Sequence, residues 1–251
     1  MLIVSDVHGA HEALAEVAAR AEEPLLVLGD LLNFIDYRTN EGLLADVAGV
    51  DFVAEMVARR ARGDRQGAAR LWASFAAGRE EEVRAEYDRR IAESYAEAAR
   101  ALGDAEAYVT YGNVDRPDML ETALTGRARF VDAEAVDIDG LRVGFAGGGA
   151  HNLGVPGEVT EEEMAAKLAA LGPVEVLCTH VAPAVSQLST DVISGRVKES
   201  RAVLDYVLEH RPRWHYFGDI HQPQATRWRV GATECRNVGY FRATRRAVRH
   251  G

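Results

Sequence analysis

The chain has 251 residues, with 29 lysine and arginine residues against 39 aspartate and glutamate residues and a formal net charge of −10. This length suffices for one large α/β domain or two small ones with a sizeable core. The acidic balance disfavours a nucleic-acid partner, because sequence-independent binders need a basic face. A small anionic substrate can still bind at a local positive centre, which a metal would supply.

Membrane insertion and disulfide bonding are both disfavoured. The first apolar run is interrupted by Ser5 and Asp6, and no later stretch approaches the length of a membrane span. The two cysteines, Cys178 and Cys235, lie in strand-like runs and suggest free core thiols. We therefore expect a cytoplasmic protein with no membrane partner.

The first two apolar runs each end in an acidic side chain. Asp6 and His8 follow the first run, and residues i and i+2 of an extended chain face the same side, so the two can meet at one point. Helical spacing from His11 to Glu23 then predicts a first βα unit, in which ligands bind at the carboxyl ends of strands. The second run, Pro24 to Leu28, leads into Asp30.

A long segment between strands has helical character. From about residue 36 to 106 the chain is rich in alanine, arginine and glutamate and contains no proline. Its interleaved acids and bases favour i to i+4 pairs on solvated helix faces. We interpret the segment as two or three inserted helices, which form either a lid over a site or the contact surface of a homo-oligomer.

Local signals predict several elements of the second half. The dipeptide Asp139-Gly140 between Phe130 to Ile138 and Leu141 to Ala146 predicts a hairpin. Thr160 with Glu163 forms a capping box that predicts a helix. Three short strands are predicted near the end: Gln224 to Val230, Ala232 to Val238 and Tyr240 to Val248.

Three later apolar runs are also followed by polar side chains. These runs begin at Ala107, Val174 and Trp214. The side chains that follow these runs are Asn113, His180, Asp219 and His221. With the earlier three, they make seven carboxylate, imidazole and amide donors without a thiolate. This set suits Mn, Fe or Zn better than a soft metal or a calcium cage, and seven donors suit two ions that share one carboxylate.

The ordered motifs Asp-x-His, Gly-Asp, Gly-Asn-x-Asp, a lone His and Gly-x-x-His resemble those of the calcineurin-like metallophosphoesterases. The resemblance runs from Leu2 to about Val238, apart from the helical segment. It implies an α/β (α+β) fold, a four-layer sandwich of two β-sheets flanked by helices. A single domain over residues 1–251 would carry the helical insertion at about 36–106.

The resemblance also implies a dinuclear centre of two divalent ions, Mn, Fe, Zn or Mg, with Mn favoured. The residues that match the first ion's ligands are Asp6, His8 and His221. Those that match the second ion's ligands are Asn113, His180 and Asp219. The position of Asp30 bridges both ions.

Asp219 departs from the family pattern, which usually has histidine there. An aspartate can still ligate, but its negative charge should lower the Lewis acidity of the second metal and shift its preference toward harder ions. The alternative interpretation is a degraded second site.

Val114 is the second departure, since many members have a histidine there that is thought to protonate the leaving group. Loss of general acid catalysis costs about 10²–10⁴-fold, most for a poor leaving group. Some bacterial and archaeal phosphodiesterases of the family lack this histidine too. Asp115 would then be a hydrogen-bond acceptor behind the ligands.

These observations predict a phosphoester hydrolase, more specifically a phosphodiesterase for a small-molecule or nucleotide substrate. Two ions about 3.5–4 Å apart can bridge a hydroxide that attacks phosphorus in line. Asp30 and Asn113 are the predicted catalytic ligands, and His151, after a glycine-rich loop, is the candidate acid. Arg116 and His11 are candidate substrate contacts. A surface ion pair for Arg116 and a helix-start role for His11 are the alternatives.

Two other functions compete with this one. A phosphomonoesterase would use the same ligands, and a non-catalytic scaffold or protein-binding subunit would share the fold. A scaffold has no reason to retain the whole ligand set, and only Asp219 and Val114 favour it.

Overall fold

The computed structural model describes residues 1–152 and 154–251, and its secondary structure alternates between strands and helices. The strands are β1 (Leu2–Val4), β2 (Leu25–Leu28), β3 (Ala107–Thr110), β4 (Arg129–Phe130), β5 (Glu134–Ile138), β6 (Leu141–Ala146), β7 (Gly149–Ala150), β8 (Glu158–Val159), β9 (Val176–Thr179), β10 (Trp214–Phe217), β11 (Arg227–Val230), β12 (Thr233–Asn237) and β13 (Val248–Arg249). The helices are α1 (His11–Ala18), α2 (Leu43–Ala48), α3 (Val50–Ala61), α4 (Arg65–Ala76), α5 (Glu80–Ala101), α6 (Pro117–Leu124), α7 (Glu161–Leu171), α8 (Ser186–Ser189), α9 (Arg201–His210) and α10 (Phe241–Thr244).

Two large sheets form the centre of the molecule. The first has the strand order β13-β1-β2-β3-β4, with β1 to β4 parallel and β13 antiparallel at the edge. The second has the order β11-β12-β10-β9-β6-β5, in which the central strands are parallel and both edge pairs are antiparallel. β7 and β8 form a small separate pair.

Alternation along β2 shows how the layers pack. Leu25 and Val27 face a core that includes Leu14 of α1, while Leu26 and Leu28 face the other sheet, because successive side chains of a strand point to opposite faces. A third core joins the second sheet to α7 and α9. The layers are therefore helix, sheet, sheet and helix, which confirms the predicted four-layer sandwich.

Four helices, α2 to α5, lie between β2 and β3, where the sequence predicted two or three. Helices α2, α3 and α4 share a small core that includes Leu44, Val53 and Met56. α5 instead places Ile91 and Tyr95 in the core of the first sheet. The inserted helices are thus anchored to the sandwich through α5. Their role as a lid or an oligomer surface stays a prediction.

Several local predictions are confirmed. β5 and β6 form the antiparallel hairpin around Asp139-Gly140. The capping box of Thr160 and Glu163 is present, and α7 ends before Gly172. Cys178 and Cys235 are buried and free.

None of the helices in residues 1–152 and 154–251 combines the length and the apolar composition that crossing a bilayer requires.

Two predicted strands are wrong. Phe130 to Ile138 is not one strand, because β4 belongs to the first sheet and β5 to the second, with Ala133 at a positive φ of 51° between them. Tyr240 to Val248 holds the short helix α10 followed by the start of β13. Each segment contains few buried apolar residues, Val131, Val136 and Ile138 in one and Phe241 in the other, and such a short pattern does not distinguish one long strand from two elements.

Candidate metal centre

The seven predicted ligands all follow strands at the same edge of the sandwich. β1, β2 and β3 of the first sheet lead into four of them, and β9 and β10 of the second sheet lead into the other three. Four have a positive φ that L-residues rarely adopt: Asp6 at 59°, His8 at 42°, Asp30 at 55° and Asp219 at 65°. These sharp turns let the side chains converge at the strand ends.

The first group of donors comprises Asp6, His8 and His221, whose ligand atoms all lie within 4.8 Å of one another. His221 Nε2 is 3.3 Å from Asp6 Oδ1 and 3.3 Å from His8 Nε2. His8 Nε2 is 3.9 Å from Asp6 Oδ1. The structure therefore brings together the three side chains that the resemblance assigns to the first ion.

The second group is built around His180, which is fully buried. Its Nε2 is 3.3 Å from Asn113 Oδ1, 3.4 Å from Asp30 Oδ1 and 3.8 Å from Asp219 Oδ1. The other oxygen of Asp30, Oδ2, is 3.6 Å from His8 Nε2. Asp30 therefore lies between the two groups, with one carboxylate oxygen facing each.

Backbone carbonyls determine which ring nitrogen faces the centre. His8 Nδ1 donates to the carbonyl of Leu32 at 2.9 Å, and His180 Nδ1 donates to the carbonyl of Leu28 at 2.8 Å. A carbonyl oxygen only accepts, so the proton of each neutral ring sits on Nδ1 and the lone pair of Nε2 faces the other donors. Metal-binding histidines use this arrangement, and the residues present therefore fit a divalent ion.

Asp115 accepts the hydrogen bonds behind the ligands, as predicted. Its buried carboxylate accepts from the backbone N–H groups of Asp30 at 2.7 Å, Gly112 at 2.9 Å and Leu31 at 3.1 Å. Tyr95 Oη donates to the same carboxylate at 3.2 Å. Burial raises the pKa of Asp115 to about 7, against the effect of the N–H donors.

Two glycines allow the strand-end loops to approach closely. A Cβ on Gly112 would lie 2.2 Å from Asp30 Oδ1, and one on Gly218 would lie 2.4 Å from Asp6 Oδ2. Any larger residue would displace a candidate ligand. The glycine that precedes Asn113 and the one that precedes Asp219 are therefore steric requirements of the site.

The buried acids determine the charge of the centre. Burial acts to raise the pKa of Asp30, but the neighbouring His180 and His8 hold it well below its ordinary range. Burial acts to lower the pKa of His180, and the carboxylates of Asp30, Asp219 and Asp6 nevertheless raise it to about 10. Without a metal, the centre therefore carries a proton on His180 at neutral pH.

Metal affinity is expected to rise with pH, because an ion must displace the proton from His180 Nε2. One released proton corresponds to about tenfold in affinity per pH unit below the folded-state pKa. Calorimetric titration in buffers of different ionisation enthalpy measures this release. An affinity that does not change between about pH 6 and 9 would contradict it.

The same pKa shift has the opposite effect on the metal-free fold. Because the pKa of His180 is about 10 in the folded protein and 6.5 ordinarily, its contribution to stability is complete below pH 6.5 and is lost as the pH rises through about 10.

The structure shows other surroundings for the three remaining predicted site residues, and their roles toward a substrate stay predictions. Arg116 forms an ion pair with Asp88 at 3.5 Å. A surface ion pair was the alternative to a substrate contact for this residue. His11, at the start of α1, bonds through Nδ1 to Glu97 at 3.2 Å. His151 is exposed after β7. Among the described residues, no hydrogen bond or ion pair joins these three side chains to the candidate ligands, because two have partners on α5 and the third faces solvent.

Sequence reasoning missed three side chains at the centre. Lys198 Nζ is 2.5 Å from Asp219 Oδ1. The ring of Tyr240 stacks on His221 with centroids 3.9 Å apart. Arg242 donates to the carbonyl of His8. None follows an apolar run, so the strand-end pattern could not find them.

Comparisons with known proteins bear on the fold. No protein-family model and no curated protein matches the sequence. One solved crystal structure superposes with a TM-score of 0.62 at 17% identity, covering 96% of this chain and 90% of the other. The crystal structure of TT1561 from Thermus thermophilus superposes with a TM-score of 0.54 at 13% identity, covering 98% and 96%. The chain shares its fold with these two proteins.

Proposed function

We propose that this protein is a metal-dependent phosphoester hydrolase of the calcineurin-like metallophosphoesterase type, acting as a phosphodiesterase on a small-molecule or nucleotide substrate. The supporting observation is the place of Asp30, whose two carboxylate oxygens lie 3.6 Å from His8 Nε2 and 3.4 Å from His180 Nε2. A carboxylate between two groups of donors is the arrangement that two ions sharing one ligand require.

The chain's residues would divide between two cations. Asp6, His8 and His221 would hold one ion, Asn113, His180 and Asp219 the other, with Asp30 between them. Bound divalent ions would polarise the phosphoryl group and supply a nucleophile near neutral pH. The carboxylates of the centre would hold the cations, and the cations would reverse the local charge. An anionic substrate could then bind an acidic protein.

Asp30 is held in place from behind. The backbone N–H of Val114 donates to Asp30 Oδ1 at 3.0 Å, and the backbone N–H of Asp30 donates to Asp115. Positioning of this kind is typical of ligands whose orientation matters for the metal.

Val114 supports the choice of a diester. Its backbone positions Asp30, but its side chain has no proton to give, and it packs against the first core. Residue 114 therefore cannot protonate the leaving group as it departs. This favours substrates whose leaving group has a low pKa. A diester with a good leaving group meets this condition, and a poor one would turn over about 10²–10⁴-fold more slowly.

The test is hydrolysis of a chromogenic phosphodiester and of the matching monoester by metal-stripped protein resupplied with Mn²⁺. We expect the diester to be turned over faster and a chelator to abolish the activity. Preference for the monoester would contradict the role of Val114. Absence of turnover with both substrates, together with absent metal binding, would favour the alternative of a non-catalytic scaffold, to which the contact of Lys198 with Asp219 lends support.

A further inference from the structure

Lys198 holds the carboxylate that a second ion would use. Its Nζ is 2.5 Å from Asp219 Oδ1 and 3.3 Å from the carbonyl oxygen of Asp219. Oδ1 is also the atom that lies 3.8 Å from His180 Nε2. The ammonium group is therefore bound to the oxygen that faces the second group of donors.

Asp219 is absent from both groups of three ligands that lie mutually close, although its Oδ1 is 3.8 Å from His180 Nε2. Among the described histidine, cysteine, aspartate and glutamate residues, the groups of three whose ligand atoms lie within 4.8 Å of one another are Asp6 with His8 and His221, and Asp6 with Asp30 and His180. Asp219 belongs to neither. Its second oxygen, Oδ2, is buried and has no hydrogen-bond partner in the part of the chain that the structure describes.

Backbone contacts fix the loop that carries Lys198. The backbone N–H of Lys198 donates to the carbonyl of Ser189 at 3.0 Å, and that of Val192 donates to the carbonyl of Gln222 at 2.9 Å. Gln222 directly follows His221, so this loop is tied to the one that carries two candidate ligands. The contact between Lys198 and Asp219 is thus built into the fold, whereas the side chain itself is 36% exposed and has room to move outward.

We propose that Lys198 competes with the second divalent ion for Asp219, so that the centre holds one ion firmly and admits a second only when the ammonium group leaves. This inference rests on the proposed function. A lysine ammonium is a compact charge on a flexible stem, which suits a cation that can be displaced. The number of ions in the centre would then depend on the metal concentration.

The chain offers a matched control, because it contains two lysines, Lys167 and Lys198. Lys167 also pairs with a carboxylate, that of Asp132 at 2.6 Å, and among the described residues it forms no hydrogen bond or ion pair with a candidate ligand. Lys167→Met therefore removes the same charge and the same kind of ion pair elsewhere in the second half of the chain. Any general effect of charge or of a lost ion pair would appear in both variants.

The experiment is calorimetric titration of metal-stripped full-length protein with Mn²⁺. The wild type is expected to bind one ion tightly and a second weakly. Lys198→Met should strengthen binding of the second ion at least tenfold, and Lys167→Met should leave it within twofold of the wild type. In the double variant with Asp219→Asn the gain should disappear. Lys198→Gln provides a second neutral replacement if the methionine variant does not fold.

Three results would overturn the inference. One is a wild type that binds both ions with equal affinity, and another is a Lys198→Met second-ion affinity within twofold of the wild type. If either of these two results is obtained while the diester is still hydrolysed only with metal, the proposed function stands and the role of Lys198 alone is wrong. The third is absence of Mn²⁺ binding by the wild type and every variant, which would overturn both proposals.

Discussion

Asp30→Asn is expected to lower metal-dependent diester turnover by about 10³-fold in kcat/KM, since loss of shared metal charge stabilisation is worth several kcal/mol. Asparagine has nearly the same shape but no negative charge, so it can no longer serve two cations. His180→Ala should act similarly, because it removes the donor at the centre of the second group. Steady-state kinetics with saturating Mn²⁺ measures both.

A matched control for Asp30→Asn is Asp132→Asn, which neutralises a partly buried carboxylate paired with Lys167. It should retain turnover close to that of the wild type. If Asp30→Asn or His180→Ala keeps wild-type turnover, the assignment of the centre is wrong.

Asp115→Ala is expected to lower the free energy of unfolding by roughly 3–5 kcal/mol, because it leaves four buried backbone donors unpaired at about 1–3 kcal/mol each, partly offset by relaxation. These donors are the N–H groups of Asp30, Leu31, Leu32 and Gly112. Urea denaturation of the metal-free protein measures the change without interference from ions.

Asp115→Asn should fall between the wild type and the alanine variant, since the amide retains one acceptor oxygen. Asp104→Ala, at an exposed turn, is the control and should change stability by less than about 0.5 kcal/mol. A change of less than about 1 kcal/mol in Asp115→Ala would show that water replaces the lost acceptor.

The strand-end residues could be predicted because the information is local. A short apolar run shows that a buried strand ends, and a polar side chain such as Asp6 or His180 directly after it must lie at the edge of the sheet. The parallel order of β1, β2 and β3 then brings these edges together. The sequence did not show that the two sheets face each other through Leu26 and Leu28.

The side chains that line the centre from loops could not be predicted in this way. Lys198 reaches Asp219 across 21 positions, and no periodic pattern encodes a contact between two irregular loops. Tyr240 lay in a segment predicted as a strand, whereas its ring stacks on His221. Arg116 and His11 were chosen for their closeness in sequence to motifs, yet partners on α5 hold both side chains.

The origin of the centre in both sheets has a consequence for folding. Asp6 and Asp30 come from the first thirty residues, and His180 and Asp219 from the last third of the chain. The amide of Asp219 donates to Asp6 at 3.2 Å, across 213 positions. Such contacts form only after most of the chain has closed into a loop, which makes them kinetically late. By this argument β1, β2 and β3 and the strands of the second sheet can pair before the centre exists, whereas the edge pair of β1 with β13 closes a still longer loop and forms as late as the binding site.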